Sequence, residues 1–193
     1  MLPVKLPVSS FKLDLEAMRA TIEQIDAVAS ADLHVRKKGV LQITVTERKP
    51  EILWRSAYGL EMLDRTGHRV ATLLDRSARP ELPVIAGDGA YKHVDEALQL
   101  FAAAGPLGPR VRGLIRIGER RWDVVMDREQ RVLLPEDDPV SALQRVAALD
   151  AAQDLMLRNL TMIDMRNPAR PTVRLAAPAT ELLTSQITGA STP

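Results

Sequence analysis

The stretch LHVRKKGVLQITVTERKPEILW, Leu33 to Trp54, decides the reading of this chain. Apolar residues fall at Leu33 and Val35, then at Leu41, Ile43 and Val45, with His34, Gln42, Thr44 and Thr46 between them. A period of two on both sides of Lys37-Lys38-Gly39 predicts a hairpin with one buried face. The second strand runs into Glu47-Arg48-Lys49-Pro50. Proline cannot donate to a strand ladder and holds the preceding residue extended, so a strand reaching Pro50 leaves one sheet and is free to start another. A domain joint is expected there.

Upstream, Asp14 is placed to cap a helix whose apolar residues Leu15, Met18, Ile22 and Ile25 recur every three to four positions. The expected helix, 14–27, covers the hairpin. Downstream, 58–64 and 67–70 read as short strands around an Asp64-to-Gly67 turn, followed by Leu82-Pro83-Val84-Ile85-Ala86-Gly87. Val94, Ala97, Leu98 and Phe101 mark a helix with Asp95 and Glu96 in its first turn and Gly105-Pro106 at its end. Three strands of a meander follow. The first sets Val111, Gly113, Ile115 and Ile117 against Arg112, Leu114 and Arg116; the second has Trp122, Val124 and Met126 on one face; Val132 and Leu134 answer in the third. Asp138-Pro139 starts another helix carrying Leu143, Val146, Ala147 and Leu149. The last sheet segments are Met162 to Arg166 and Val173 to Leu175, separated by a stretch with Pro168 and Pro171.

Composition limits the function classes. Of 193 residues, 46% are hydrophobic, enough for a packed core, and 26 Lys+Arg stand against 25 Asp+Glu, so charge does not point to nucleic acid or an acidic membrane. The absence of cysteine excludes disulfides and thiol chemistry and leaves the compartment open. Met1 to Lys12 has no signal-peptide pattern, and no apolar run reaches the about 18 residues of a membrane span. His34, His68 and His93 share no spacing, and the acids Asp95 and Glu96 after His93 suit a helix start without a metal. No Gly-x-Ser-x-Gly elbow occurs; Gly87-Asp88-Gly89 lacks phosphate-loop spacing; the carboxylates of Glu136-Asp137-Asp138 precede a helix, where negative charge is favoured. Aromatics at 3% provide little for base stacking, and Arg120-Arg121 is flanked by Glu119 and Asp123. The expectation is a protein that is not an enzyme, with no cofactor and no metal.

Helix plus hairpin, closing in Thr46-Glu47-Arg48-Lys49-Pro50 with Trp54 just after, resembles the POTRA domain of the bacterial cell-division FtsQ/DivIB family. The Asp64-x-x-Gly67 turn, Leu82-Pro83 with Gly87, the Arg121-Trp122 strand start, and Ile163-Asp164-Met165-Arg166 followed by Val173-Arg174-Leu175 come in that family's order. The resemblance covers about residues 10–175. It implies an α+β fold: a truncated α-β-β POTRA domain (1–50), then a mainly antiparallel β domain with packed helices (51–175). Residues 176–193, mostly Ala, Thr, Ser and Pro, are expected to form a disordered tail. Family members begin with a cytoplasmic tail, one transmembrane helix and the first POTRA strand and helix. The resemblance therefore implies either a truncated chain or a reading frame opened too late, and it places the protein on the periplasmic side of the inner membrane at the division septum.

A final strand at a sheet edge presents unpaired N–H and C=O groups that are either blunted or used. Arg166, Arg170 and Arg174 fit both roles: blunting charges, or partners for carboxylates on an incoming strand. The resemblance favours use. In the family the C-terminal edge receives a segment of FtsB, held with FtsL in a coiled coil, and the POTRA domain serves recruitment of the protein to the division site. By position the partner-binding candidates are Arg166, Asn167, Val173, Arg174 and Leu175. Some members carry aromatics at the places of Asn167 and Leu175, and this chain has neither. The first reading is a non-enzymatic division scaffold that links early and late division proteins and helps control septal peptidoglycan synthesis. The second is a POTRA-type chaperone or secretion module that binds client β-strands, and a third is a hydrolase whose residues converge from distant parts of the chain.

Overall fold

The computed structural model describes residues 13–176. The expected tail therefore lies outside the described residues except for Ala176, as does the stretch Met1 to Lys12. No helix of the described residues is long and apolar enough to cross a membrane.

Helix α1 (Leu15–Glu23) starts at Asp14, whose carboxylate accepts the Ala17 N–H at 2.9 Å. It lies on a hairpin of β1 (Val28–Arg36) and β2 (Val40–Glu47), turned through Lys37–Gly39 as the sequence predicts. Met18 and Ile22 pack on Val28, Ala31 and Leu33. Two expectations change. The helix ends at Glu23 instead of 27 and leaves Ile25 55% exposed. The hairpin face is also only half covered: α1 rests on β1, and Ile43 and Val45 of β2 are exposed.

A nine-stranded sheet follows, built from β3 (Ile52–Ser56), β4 (Gly59–Leu63), β5 (Arg69–Leu73), β6 (Val84–Ala86), β7 (Val111–Ile117), β8 (Arg121–Met126), β9 (Arg131–Leu133), β10 (Leu160–Asp164) and β11 (Thr172–Leu175). Their order in space is β11-β10-β9-β8-β7-β6-β3-β4-β5. Five of its pairings are antiparallel, and the three of β3 with β6, β6 with β7 and β9 with β10 are parallel. The fold is α+β, and the sheet is mixed. Each parallel neighbour needs a crossover, and two of these crossovers contain the long helices α2 (Val94–Ala103) and α3 (Pro139–Gln153).

Both helices pack on one sheet face. A row of facing residues runs across that face through Trp54, Ile85, Leu114, Val124, Val132, Ile163 and Val173. From Ile85 to Ile163 the row is buried beneath Val94, Ala97, Leu100, Ala142, Leu143 and Val146. At roughly 1.5–3 kcal/mol for each buried aliphatic side chain, this layer is the main source of stability. On the other face Leu53, Leu60 and Leu82 form a smaller cluster under the 75–82 loop. The Arg76 guanidinium clasps that loop by donating to the carbonyls of Arg79, Pro80 and Leu82.

Strand β7 reverses the expected phase. The alternation favours Ile115 and Ile117 as the inner residues, yet Leu114 and Arg116 are the more deeply buried. Arg116 is held by charge pairing: it donates to Glu96 of α2 at 2.7 Å and lies 5.0 Å over the Trp122 ring, whose indole N–H also donates to Glu96, at 2.9 Å.

Candidate partner-binding edge

β11 forms one margin of the large sheet. It is four residues long and antiparallel to β10, with Val173 opposite Ile163 and Arg174 opposite Met162. Thr172, Val173 and Arg174 are exposed, so alternate N–H and C=O groups of the strand face outward. The opposite margin, β5, is partly covered, because Arg69 at its start pairs with Asp26 at 2.6 Å.

The five candidate residues divide by face. Val173 and Leu175 lie on the helix side, where Leu175 is half-buried against the core and Val173 stays 45% exposed. Arg174 points to the other face. Arg166 and Asn167 belong to the turn before β11, where the Asn167 carboxamide accepts the Ala169 N–H and the Asn167 carbonyl accepts the Arg170 N–H. With Asp164, Arg170 and Thr172 they line a shallow hollow beside the edge. Asp164 and Thr172 were not singled out by sequence reasoning as site residues; the only signal was their place on either side of the Arg166–Pro171 interruption.

Charge around the edge is mostly positive. Arg166 grips Asp164 through both carboxylate oxygens, with a closest approach of 2.6 Å. That grip, opposed by partial burial and helped by the Arg166 N–H, holds the Asp164 carboxyl below its ordinary range. Three strands in from the edge, on β8, Asp123 is buried on the open face and is paired with Arg121 and, at 3.8 Å, Arg131. Arg170 and Arg174 make no side-chain ion pair among the described residues, so positive charge is left over for a carboxylate partner.

Because the folded state holds Asp164 with a lowered pKa, it binds fewer protons there than the unfolded chain does. The stabilisation is complete above about pH 4 and is lost as pH falls through the folded value. In urea titrations, Asp164→Asn is expected to lower stability at neutral pH and to flatten the loss on acidification. An unchanged acid limb would remove Asp164 from this account.

Among the described residues the three histidines stand apart. His34 pairs with Asp32 on the hairpin, His68 with Thr66, and His93 lies 3.7 Å from Glu96, which Arg116 and Trp122 already hold. Among the described residues no three His, Asp or Glu side chains are grouped to hold a metal ion.

Comparison with known proteins identifies the family. Residues 52–166 match the family described as Cell division protein FtsQ/DivIB, C-terminal. The chain is 52% identical over 179 residues to the Cell division protein FtsQ of Paracoccus denitrificans, covering 93% of this chain and 53% of that protein. It is 54% identical over 175 residues to that of Cereibacter sphaeroides, covering 91% and 57%. A more distant relative, from Bartonella bacilliformis, is 29% identical over 168 residues, with 87% and 54% covered. The chain thus spans a little over half the length of these curated relatives. The match spans β3 through β10 and the start of the turn into β11, and the chain belongs to the FtsQ/DivIB family of cell division proteins.

Proposed function

We propose that this chain is the partner-binding part of a non-enzymatic division scaffold on the periplasmic side of the inner membrane, and that its β11 edge takes up a strand of FtsB presented with FtsL. In this reading residues 1–50 are a partial POTRA domain used for recruitment, and 51–175 are the β domain. The observation that carries it is the cross-strand row. Five consecutive members, Ile85 to Ile163, are buried, and the next, Val173, is 45% exposed, with no strand beyond it among the described residues. An incoming strand extends the row, bonds its backbone to the edge, and sets acidic side chains near Arg166, Arg170 and Arg174.

The test is calorimetry of this chain with a peptide from the C-terminal part of FtsB of the same organism. Val173→Glu is a cleaner control than a charge at Leu175, because Leu175 packs on the core and a carboxylate there would also weaken the fold. The intact chain is expected to bind, and Val173→Glu to weaken binding at least tenfold, about 1.4 kcal/mol. Absence of binding to the folded chain at high peptide concentration would sink the assignment.

A further inference from the structure

We propose that Arg48 and Asp64 form a polar latch that fixes the α1–β1–β2 unit against the nine-stranded sheet, and that releasing this pair frees the two to turn about Lys49-Pro50. The starting point is the core. The apolar cluster under α1 contains Met18, Ile22, Val28, Ala31 and Leu33 and shares no residue with either cluster of the large sheet. Without shared apolar packing among the described residues, relative orientation depends on polar contacts, the situation in which motion between units is the default.

Those contacts converge on Arg48. Its backbone N–H donates to Ala27 at the foot of β1, at 2.8 Å, so Arg48 moves with the hairpin. Its guanidinium reaches across the joint to Asp64 at 2.7 Å, and the two side chains are only 18% and 13% exposed. Asp64 is in turn fixed to the sheet. Its second oxygen accepts the backbone N–H groups of Thr66 and His68 and the Thr66 hydroxyl, and the Asp64 N–H bonds back to His68 across the turn. One carboxylate therefore anchors the β4–β5 turn with one oxygen and holds the hairpin unit with the other. Among the described residues the other side-chain tie between hairpin unit and sheet, Asp26 with Arg69, is about half exposed and correspondingly weak. Removing one partner of a pair as sheltered as Arg48 and Asp64 leaves the other charge poorly solvated, so the closed arrangement is lost and not merely loosened.

The Glu47-Arg48-Lys49-Pro50 stretch thus gains a role beyond ending a strand. Proline at 50 keeps the connection extended, and arginine two residues earlier sets its direction.

The test uses distance measurements between spin labels on the whole chain, which has no cysteine, so Lys37→Cys on the hairpin and Gln144→Cys on α3 label uniquely. The unmodified latch is expected to give one narrow distance distribution. Asp64→Asn keeps an oxygen for Thr66 and His68 but presents an amide N–H to Arg48; it is expected to replace the narrow distribution with a broad one while circular dichroism is unchanged. Arg48→Met should do the same, and the pair of changes together should do no more than either alone. Arg69→Ala should leave the distribution narrow. A broad distribution before any change, or a narrow one in folded Asp64→Asn and Arg48→Met, would overturn the proposal. So would unfolding of both variants, which would make the pair part of the fold and not a latch.

Discussion

Trp122→Ala is expected to cost about 3–5 kcal/mol, much of the roughly 5–15 kcal/mol that holds a domain of this kind folded. The indole is fully buried in the middle strand of the meander, facing Arg116 across the β7–β8 ladder. Truncation removes three things together: the ring volume, the cation–π face under the Arg116 guanidinium, and the N–H that helps hold Glu96. The ion pair that remains sits over a cavity, and a sheltered charge pair gains little from a void. Trp122→Phe keeps most of the volume and leaves Glu96 short of one donor, for a smaller loss of about 1–3 kcal/mol. Urea denaturation of the two variants separates these contributions. A loss under about 1 kcal/mol for Trp122→Ala would show that the site collapses without penalty and that the Arg116–Glu96 pair does not depend on the ring.

The contrast between Trp122 and Arg116 shows what was legible in the sequence. Trp122, Val124 and Met126 were readable as one face because an apolar residue at every second position marks an inner row. Arg116 was not, because its partner Glu96 lies on a helix twenty residues earlier and no local pattern records that meeting. In β7 the alternation itself misled: the strand is central, both faces are sheltered, and apolar side chains at both parities make the phase ambiguous. The parallel neighbours of the three-residue strand β6 were equally hidden, since pairing direction follows from crossovers and not from composition.

At the hairpin the apolar spacing suggested a helix through Ile25, and the chain there has no glycine or proline to stop it. The helix ends earlier for tertiary reasons: Asp26 turns out to Arg69, and the Ala27 carbonyl accepts the Arg48 N–H. The candidate edge was legible in outline, because the last strand of a sheet is often marginal and the family pattern pointed to it. The half-burial of Leu175 and the hollow walled by Asp164 and Thr172 depend on how the turn after Arg166 folds back, and the sequence carries no clear sign of that.

Gly87→Ala is expected to destabilise by more than the about 1–3 kcal/mol charged for a strained backbone conformation alone. Gly87 closes the Leu82–Gly87 segment at φ +101°, a region that L side chains rarely adopt. Strain is only part of the cost. A Cβ at this position would lie 2.2 Å from the Arg116 carbonyl oxygen and 3.0 Å from its nitrogen, so backbone meets backbone and no side-chain rotation relieves it. The β6–β7 pairing must open to make room, and with it moves the strand that carries Leu114 and Arg116. The Gly87 carbonyl also accepts the Trp54 indole N–H at 3.2 Å, which ties β3 to the same place. Gly59→Ala is the matching control: Gly59 also has a positive φ, +140°, but a Cβ there meets nothing within 4 Å. Comparing the two by urea denaturation isolates the cost of close approach from that of the backbone angle. Equal losses would mean that β7 yields freely at Arg116, and that the glycine is required for its dihedral angles alone.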